Sequence, residues 1–470
     1  DVEQLKEELR LRGGITVRTN FDPLQRIWKD RPAIPQNPVE IQSLEFAGEE
    51  TKSKLARIRQ ALRHLHADGM LVTALDDIAW TLNLRGSDVH CNPVFVSYLL
   101  IASDKVTLYI DKVKVTDPIR SYLHGQGVEI ADYMDVAKGL RDYFEYNILL
   151  DPEEVCYTLS QQVTRQVVRA DSPIPAMKAV KNEREQTGFR SAMLRDGIAM
   201  VKFLKWLDEH IQTDQLTEMS VSDKLESFRQ NQPLYKGLSF DTIAGYEAHG
   251  AIVHYEATPA TDAVLQPKGL LLLDSGAQYQ DGTTDITRTI ALGPLTGEQR
   301  KVYTLVLKGH LQLQNLHFPD GASGTQLDAI ARKDLWQAGY NYLHGTGHGV
   351  GSYLNVHEGP HQIRMEWRPA PLHAGMTVTD EPGVYLEGRF GVRIENTLLI
   401  TPDKETECGR FLKFEPLTIC PVDKRPIVLE MLTEEEKAWL NLYHENCYAL
   451  LSSSLDEKEQ EWLREATLPI

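Results

Sequence analysis

The stretch Gly269–Ile290, GLLLLDSGAQYQDGTTDITRTI, runs four leucines into Asp274, turns through Asp281-Gly282, and resumes after Asp285 as a second apolar segment. An apolar run of strand length, turn residues and a β-branched run read together as a strand, a loop and a returning strand. Side chains alternate along a strand, so an even-numbered loop leaves both aspartates on one face of the pleat. Two carboxylates at the buried end of a hairpin repel, and burying either charge alone is costly. A shared proton, a basic side chain or a metal ion must compensate them. Arg288, the basic residue of the stretch, is an odd number of positions from Asp285 and so points to the other face.

The pattern recurs further along. Thr377–Ile400, TVTDEPGVYLEGRFGVRIENTLLI, again gives a strand, a loop with Gly388 and Gly391, and a strand, and it carries Glu381 and Glu395. Four carboxylates gathered by two similar hairpins suit a pair of hard divalent cations. The alternative is that each acid is solvated at a strand end with no common site. That fits any one acid but accounts poorly for the recurrence.

Between the hairpins lies His344–His361, HGTGHGVGSYLNVHEGPH. His344 and His348 have the i, i+4 spacing of a zinc-binding helix. Gly345, Gly347, Gly349 and Gly351 argue against a helix, each costing about 1 kcal/mol there relative to alanine. No glutamate follows His344 to act as base. An extended backbone is expected instead, with His344, Thr346 and His348 on one face and glycines leaving the other bare. Such a strand is either a packed glycine-rich sheet or the wall of a site. An imidazole added to the acids would favour manganese, cobalt or zinc over magnesium or calcium. His249, His361 and His373 read as surface or satisfied residues, so His361→Ala is expected to be nearly silent.

The rest of the chain sets the frame. At 470 residues it should hold two or three domains. With 42% hydrophobic and 25% charged residues it has the composition of an ordinary globular protein. A net charge of −17 argues against nucleic acid and anionic membrane surfaces as partners, and no apolar run approaches a membrane span. Five scattered cysteines without a CxxC pair read as reduced thiols of a cytoplasmic protein. Residues 1–40 read as the remnant of a preceding domain, with Val2, Leu5 and Leu9 at helical spacing, followed by a proline-bearing linker. Residues 41–175 form an α/β domain, and residues 176–405 a larger domain opened by a long helix with Leu194, Ile198, Val201 and Leu204. Residues 406–470 are a C-terminal extension ending in two charged helices.

The ordered set of Asp274 and Asp285 in DSGAQYQDGTTD, His348 in GHGVG, Glu381 in TDEPG and Glu395 in RIEN resembles the metal-ligand pattern of the pita-bread metallopeptidases. That family includes methionine aminopeptidase, prolidase and aminopeptidase P. The strings LRGSDV, SFDTIAG, IVHYEATP and HGTGHGVGSYLNVHEGP are similar to the cytosolic type of aminopeptidase P, the Xaa-Pro aminopeptidases. The likeness runs from about Asp30 to the C-terminus.

The resemblance implies an α/β (α+β) chain, with a creatinase-like N-terminal domain before a pita-bread catalytic domain. Relatives of this type have three domains, of which residues 1–40 would keep only the last helix. The resemblance also implies two divalent ions, with Mn2+ expected and Zn2+ or Co2+ as alternatives. Asp274 would chelate one ion, Asp285 and Glu395 would bridge both, and His348 and Glu381 would complete the other. Glu381 would also be the base. His254 and His357 would hold the scissile carbonyl, His344 would face the proline side, and Arg393 would orient a ligand. Substrates would be peptides beginning Xaa-Pro, and the molecule a homodimer. Prolidase, which cleaves only Xaa-Pro dipeptides, is the alternative, and a non-catalytic pita-bread peptide-binding module a more remote one.

Overall fold

The computed structural model describes residues 2–470 apart from Asn20, Pro23 and Asp214. The chain divides into two compact units, residues 1–178 and 179–470. Among the described residues no helix is long and apolar enough to cross a membrane.

In the first unit, helix α1 (Val2–Gly13) buries none of its side chains. Its few apolar residues give it too narrow a stripe to seat in a core. Helix α2 (Thr51–His64) does seat, through Leu55, Ile58 and Leu62. The apolar runs that follow form one mixed six-stranded sheet. Its strands are β1 (Gly69–Val72), β2 (Ser97–Ile101), β3 (Val106–Ile110), β4 (Val128–Ala131), β5 (Asn147–Leu150) and β6 (Gln166–Arg169), in the order β4-β3-β2-β1-β5-β6. The Ser103-Asp104-Lys105 turn makes β2 and β3 an antiparallel hairpin.

The second unit opens with α3 (Glu183–His210), started by a capping box between Asn182 and Glu185. The cap satisfies amides that the first helical turn leaves without partners. Helix α4 (Glu218–Gln230) follows, then strands β7 (Tyr235–Leu238) and β8 (Ile243–Tyr246). The first acid-bearing stretch gives β9 (Leu270–Ser275) and β12 (Ile286–Ala291), antiparallel with Asp274 opposite Thr287, and β8 joins the other edge of β9.

The intervening segment is more than the simple loop expected. Strands β10 (Ala277–Tyr279) and β11 (Gly282–Thr283) form a second hairpin that pairs with β7 in a separate sheet. The switch is held where Thr284 N donates to Ala277 O at 2.8 Å and Ala277 N donates to Thr284 Oγ1 at 2.9 Å.

Helix α5 (Gly297–Gln314) then packs Val302 and Val306 against Leu270, Val392 and Ile394 in one core. After β13 (His317–Pro319) and α6 (Gly324–Gln337) comes the glycine-rich stretch, in which β14 (Gly347–Gly349) pairs with β15 (Glu358–Ile363). The second acid-bearing stretch gives β16 (Thr377–Asp380), a small hairpin of β17 (Gly383–Leu386) and β18 (Phe390–Arg393), and the long β19 (Asn396–Thr406). Strand β20 (Gly409–Pro416) runs back along β19, in a four-stranded sheet ordered β13-β20-β19-β16. The hairpin turn falls where a C-terminal extension was expected to begin, so the first strand past residue 406 completes this sheet. The terminal helices are α7 (Glu434–Leu451) and α8 (Glu457–Thr467).

Candidate active site

The two hairpins deliver their acids to one cavity of about 480 Å³. Asp274 is the last acid on the β9–β12 ladder, and Asp285 sits just past its end. In the second hairpin the final ladder pair is Asp380 with Asn396, so Glu381 and Glu395 face each other one residue further on. The hairpins are sewn together by Thr287 and Thr289 on the Asp285 face of β12 and by Thr397 on β19. Thr287 accepts Glu395 N at its carbonyl (3.0 Å) and donates its hydroxyl to Glu395 Oε2 (2.7 Å). Thr289 Oγ1 donates to Arg393 O at 2.8 Å, and Thr397 Oγ1 donates to Asp285 O at 3.0 Å. On the opposite face Arg288 is buried, and it donates to the carbonyls of Thr287, Glu395 and Cys420 rather than to any acid of the site.

The glycine strand closes one wall. A Cβ on Gly347 would lie 1.9 Å from Thr379 O, and one on Gly349 would lie 2.5 Å from Glu358 O. Only glycine lets β14 lie this close to β15 and β16. His348 points the other way. Its Nδ1 lies 2.8 Å from Gly349 O, an acceptor, so Nδ1 carries the proton and Nε2 presents a lone pair. That lone pair lies 3.5 Å from both Asp285 Oδ2 and Glu381 Oε1. Burial, reinforced by His357, lowers the His348 pKa to about 3, which keeps the ring neutral.

The expected common face of His344, Thr346 and His348 is not continuous. Thr346 is buried and donates to Asp328 Oδ1 at 2.6 Å, because that carboxylate on α6 draws the hydroxyl inward. His344 does reach the cavity. Its Nδ1 donates to Gly345 O at 2.8 Å, and its Nε2 lies 2.9 Å from the Tyr385 hydroxyl. Arg393 ties this ring to the acids, with Nη1 donating to Tyr385 at 2.6 Å and Nη2 to Asp274 Oδ2 at 2.6 Å. Burial lowers the His344 pKa to about 4.

The electrostatics of the acids are severe. Burial raises the Glu381 carboxyl to about 8, Arg393 opposing and Asp274 reinforcing. Asp285 and Glu395 are pushed well above the carboxylate range, first by burial and then by neighbouring acids. Asp274 Oδ1 is buried without a hydrogen-bond partner. Arg393 pairs with only one of the four carboxylates, and divalent cations would offset the negative charge that remains. Ligand atoms of Asp285, His348 and Glu395 all lie within 4.8 Å of one another. Carboxylate oxygens with one neutral imidazole are a donor set for manganese, cobalt or zinc.

His254 and His357 line the same cavity, open to its solvent, and the His357 ring stands edge-on to His348 at 4.3 Å. All nine residues expected at a site therefore meet in one place. Three other histidines do not. His249 bonds Glu218 Oε1 at 2.9 Å and His373 bonds Asp320 Oδ1 at 2.9 Å. His361 is fully buried behind the glycine strand, donating Nε2 to Thr377 O at 2.7 Å, so of the two readings it is the satisfied histidine and not the surface one. Sequence reasoning also missed Tyr385 and Thr287. The only signal for Thr287 is its position two residues after Asp285, on the same strand face.

Comparison with known families fits this layout. Residues 187–402 match the model of metallopeptidase family M24, residues 30–185 that of the creatinase/prolidase N-terminal domain, and residues 410–470 that of the C-terminal region of peptidase M24. The chain is a metallopeptidase of family M24, with a creatinase-like unit before a pita-bread unit.

Aminopeptidase P1 of Arabidopsis thaliana is 40% identical over 97% of this chain and 79% of its own length. The X-prolyl aminopeptidase of Caenorhabditis elegans, a cytosolic enzyme with a di-nuclear active site, superposes with a TM-score of 0.95 at 34% identity, over 100% of this chain and 79% of that one. An Xaa-Pro dipeptidase from Bacillus anthracis is more distant, with a TM-score of 0.64 at 25% identity over 81% of this chain and 100% of that one. Within M24 the chain belongs to the Xaa-Pro aminopeptidases.

Proposed function

We propose that the enzyme removes the N-terminal residue from peptides with proline at position two, and that it does so with two divalent ions, manganese being the expected pair. The observation that carries this reading is the meeting of Asp274, Asp285, Glu381 and Glu395 with a neutral imidazole in one cavity, where Arg393 pairs with Asp274. Asp274, Asp285, His348, Glu381 and Glu395 would hold the ions. When bound, such ions lower the pKa of a water toward neutrality and polarise a carbonyl.

The protein's own groups do the rest. An Xaa-Pro bond has no amide proton, and its ring hinders ordinary attack. Its cleavage requires a stabilised oxyanion and a proton for the proline nitrogen. His357 and His254, open to the cavity, donate to the carbonyl oxygen as its charge grows. Glu381 accepts a proton from the attacking water and returns it to the leaving nitrogen. His344, fixed by Tyr385, borders the proline side, and Arg393 holds Asp274 in place.

We also propose a cytoplasmic location, the Caenorhabditis elegans enzyme being described as cytosolic, and a homodimer, as the family resemblance of the sequence implies. Mass spectrometry of products from Arg-Pro-Pro-type peptides and from a bare Xaa-Pro dipeptide, with manganese present, tests the specificity. Release of the first residue from the longer peptides is expected. Cleavage of dipeptides alone would make it a prolidase.

A further inference from the structure

Helix α5 never enters the cavity, yet two of its side chains reach the residues that flank the two glutamates. His310 and Gln314 are one turn apart and therefore on the same helix face. Both are buried. The His310 Nδ1 lies 3.3 Å from Asp380 O and 3.1 Å from Asp380 Oδ2. A carbonyl only accepts, so Nδ1 carries the proton and clamps the peptide that joins Asp380 to Glu381. The Gln314 Oε1 accepts Asn396 Nδ2 at 2.7 Å, and Asn396 follows Glu395 directly.

Asp380 and Asn396 are not an arbitrary pair. They are partners in the β16–β19 register, the last rung before the chain delivers Glu381 and Glu395. Arg288 grips the same rung from the other side, donating to Asn396 Oδ1 at 2.8 Å and to Glu395 O at 2.6 Å. Without α5 the Asp380 side of the rung would lose its His310 clamp and Asn396 would lose its Gln314 acceptor, and strand ends are where pairing loosens.

We infer that His310 and Gln314 are positioning residues. Through the Asp380–Asn396 rung, helix α5 sets the separation and direction of Glu381 and Glu395 and thereby the affinity of the site for its ions. The inference rests on the reading that these glutamates hold divalent metal. Groups behind a metal ligand matter because they fix its orientation before the ion arrives. Losing one should therefore cost metal affinity over and above any loss of global stability.

The test uses full-length protein stripped of metal and titrated with Mn2+, free ion being followed by its electron paramagnetic resonance signal. His310→Leu and Gln314→Leu should each weaken Mn2+ binding by about 10–100-fold, the range for partners behind a ligand. Two conservative variants should bind like wild type. In His310→Asn the amide N–H takes the place of Nδ1–H, and in Gln314→Glu an oxygen still accepts from Asn396. Leu311→Ala, a core change on the same helix, should lower the urea midpoint and leave Mn2+ binding unchanged. Wild-type affinity in both leucine variants would overturn the inference, as would equal weakening in Leu311→Ala or failure of both conservative variants to restore binding. Wild-type protein that takes up no Mn2+ would instead overturn the proposed function, and the role of α5 with it.

Discussion

Stripping the ions from this site should make the protein's stability depend on pH in a direction opposite to that of most carboxylates. An acid whose pKa is higher folded than unfolded binds more protons in the native state, so stability falls as pH rises between the two values. Glu381 moves from an ordinary 4.5 to about 8, and Asp285 and Glu395 move in the same direction. The buried histidines act oppositely below their unfolded value of 6.5. His348 is lowered to about 3, and His344 and His361 to about 4, so they lose stability as pH falls below 6.5.

Above 6.5 these rings are neutral in the folded state and only partly protonated in the unfolded one, so they offset the acids by about 0.4 kcal/mol each and no more. Each pH unit is worth about 1.4 kcal/mol per acid, so the interval from 6.5 to 8 should remove roughly 2 kcal/mol through Glu381 alone, and more through Asp285 and Glu395. Against a total of about 5–15 kcal/mol for a typical domain this is easily read. Urea unfolding at half-unit steps, once with chelator and once with saturating Mn2+, measures it. The chelated protein should weaken steadily from pH 6.5 to 8. The loaded protein should hold level, because ion binding has already displaced the protons. A chelated protein as stable at pH 8 as at 6.5 would mean that the four acids are not buried together as charges, and the whole account of the site would fail.

Other perturbations probe single residues. Asp285→Asn keeps the size of the side chain and weakens both ions, so a loss of at least several hundredfold in kcat/KM is expected, the scale of lost metal activation; near-normal turnover would remove Asp285 from the ligand set. His357→Ala should lower kcat far more than it raises KM, since its contact strengthens as the oxyanion forms, and an effect confined to KM would make it a binding residue only. His361→Ala should lower unfolding free energy by about 2–4 kcal/mol through a cavity and a lost hydrogen bond; an unchanged urea midpoint would contradict its placement behind β14. Light scattering at micromolar concentration should give twice the monomer mass, and a monomer would exclude the proposed pairing.

Much of the site was legible because strand alternation is a strong constraint. The period of two places Asp274 and Asp285 together and turns Arg288 away, and both hold in the β9–β12 register. The same reasoning reached Glu381 and Glu395 but not their exact opposition, which depends on β16 ending at Asp380. The roles of His254, His357, His344 and Arg393 came from likeness to a family, since no local pattern marks a histidine as facing a carbonyl. What stayed hidden were contacts made by residues remote in sequence. Thr346 turns away because of Asp328, eighteen positions back. The β10–β11 hairpin leaves its sheet for β7, a pairing that no periodicity within the stretch encodes. The sequence left open whether His361 was a surface or a satisfied residue because its burial depends on Gly349, whose absent Cβ would meet the ring at 2.7 Å.

The glycines around His348 thus have two functions that cannot be separated. Gly347 and Gly349 allow β14 to lie against Thr379 O on one side and Glu358 O on the other, while His348, held between them, faces the acids. Any side chain at 347 or 349 would push the strand off its neighbours, and His348 would move with it. Because Nε2 is 3.5 Å from an oxygen of Asp285 and of Glu381, even a displacement of about 1 Å is large against the tolerance of a preorganised site. The acids are positioned by hairpin register and the imidazole by glycine packing, two independent devices. That independence is why neither stretch alone identified the site and why their meeting in one cavity does.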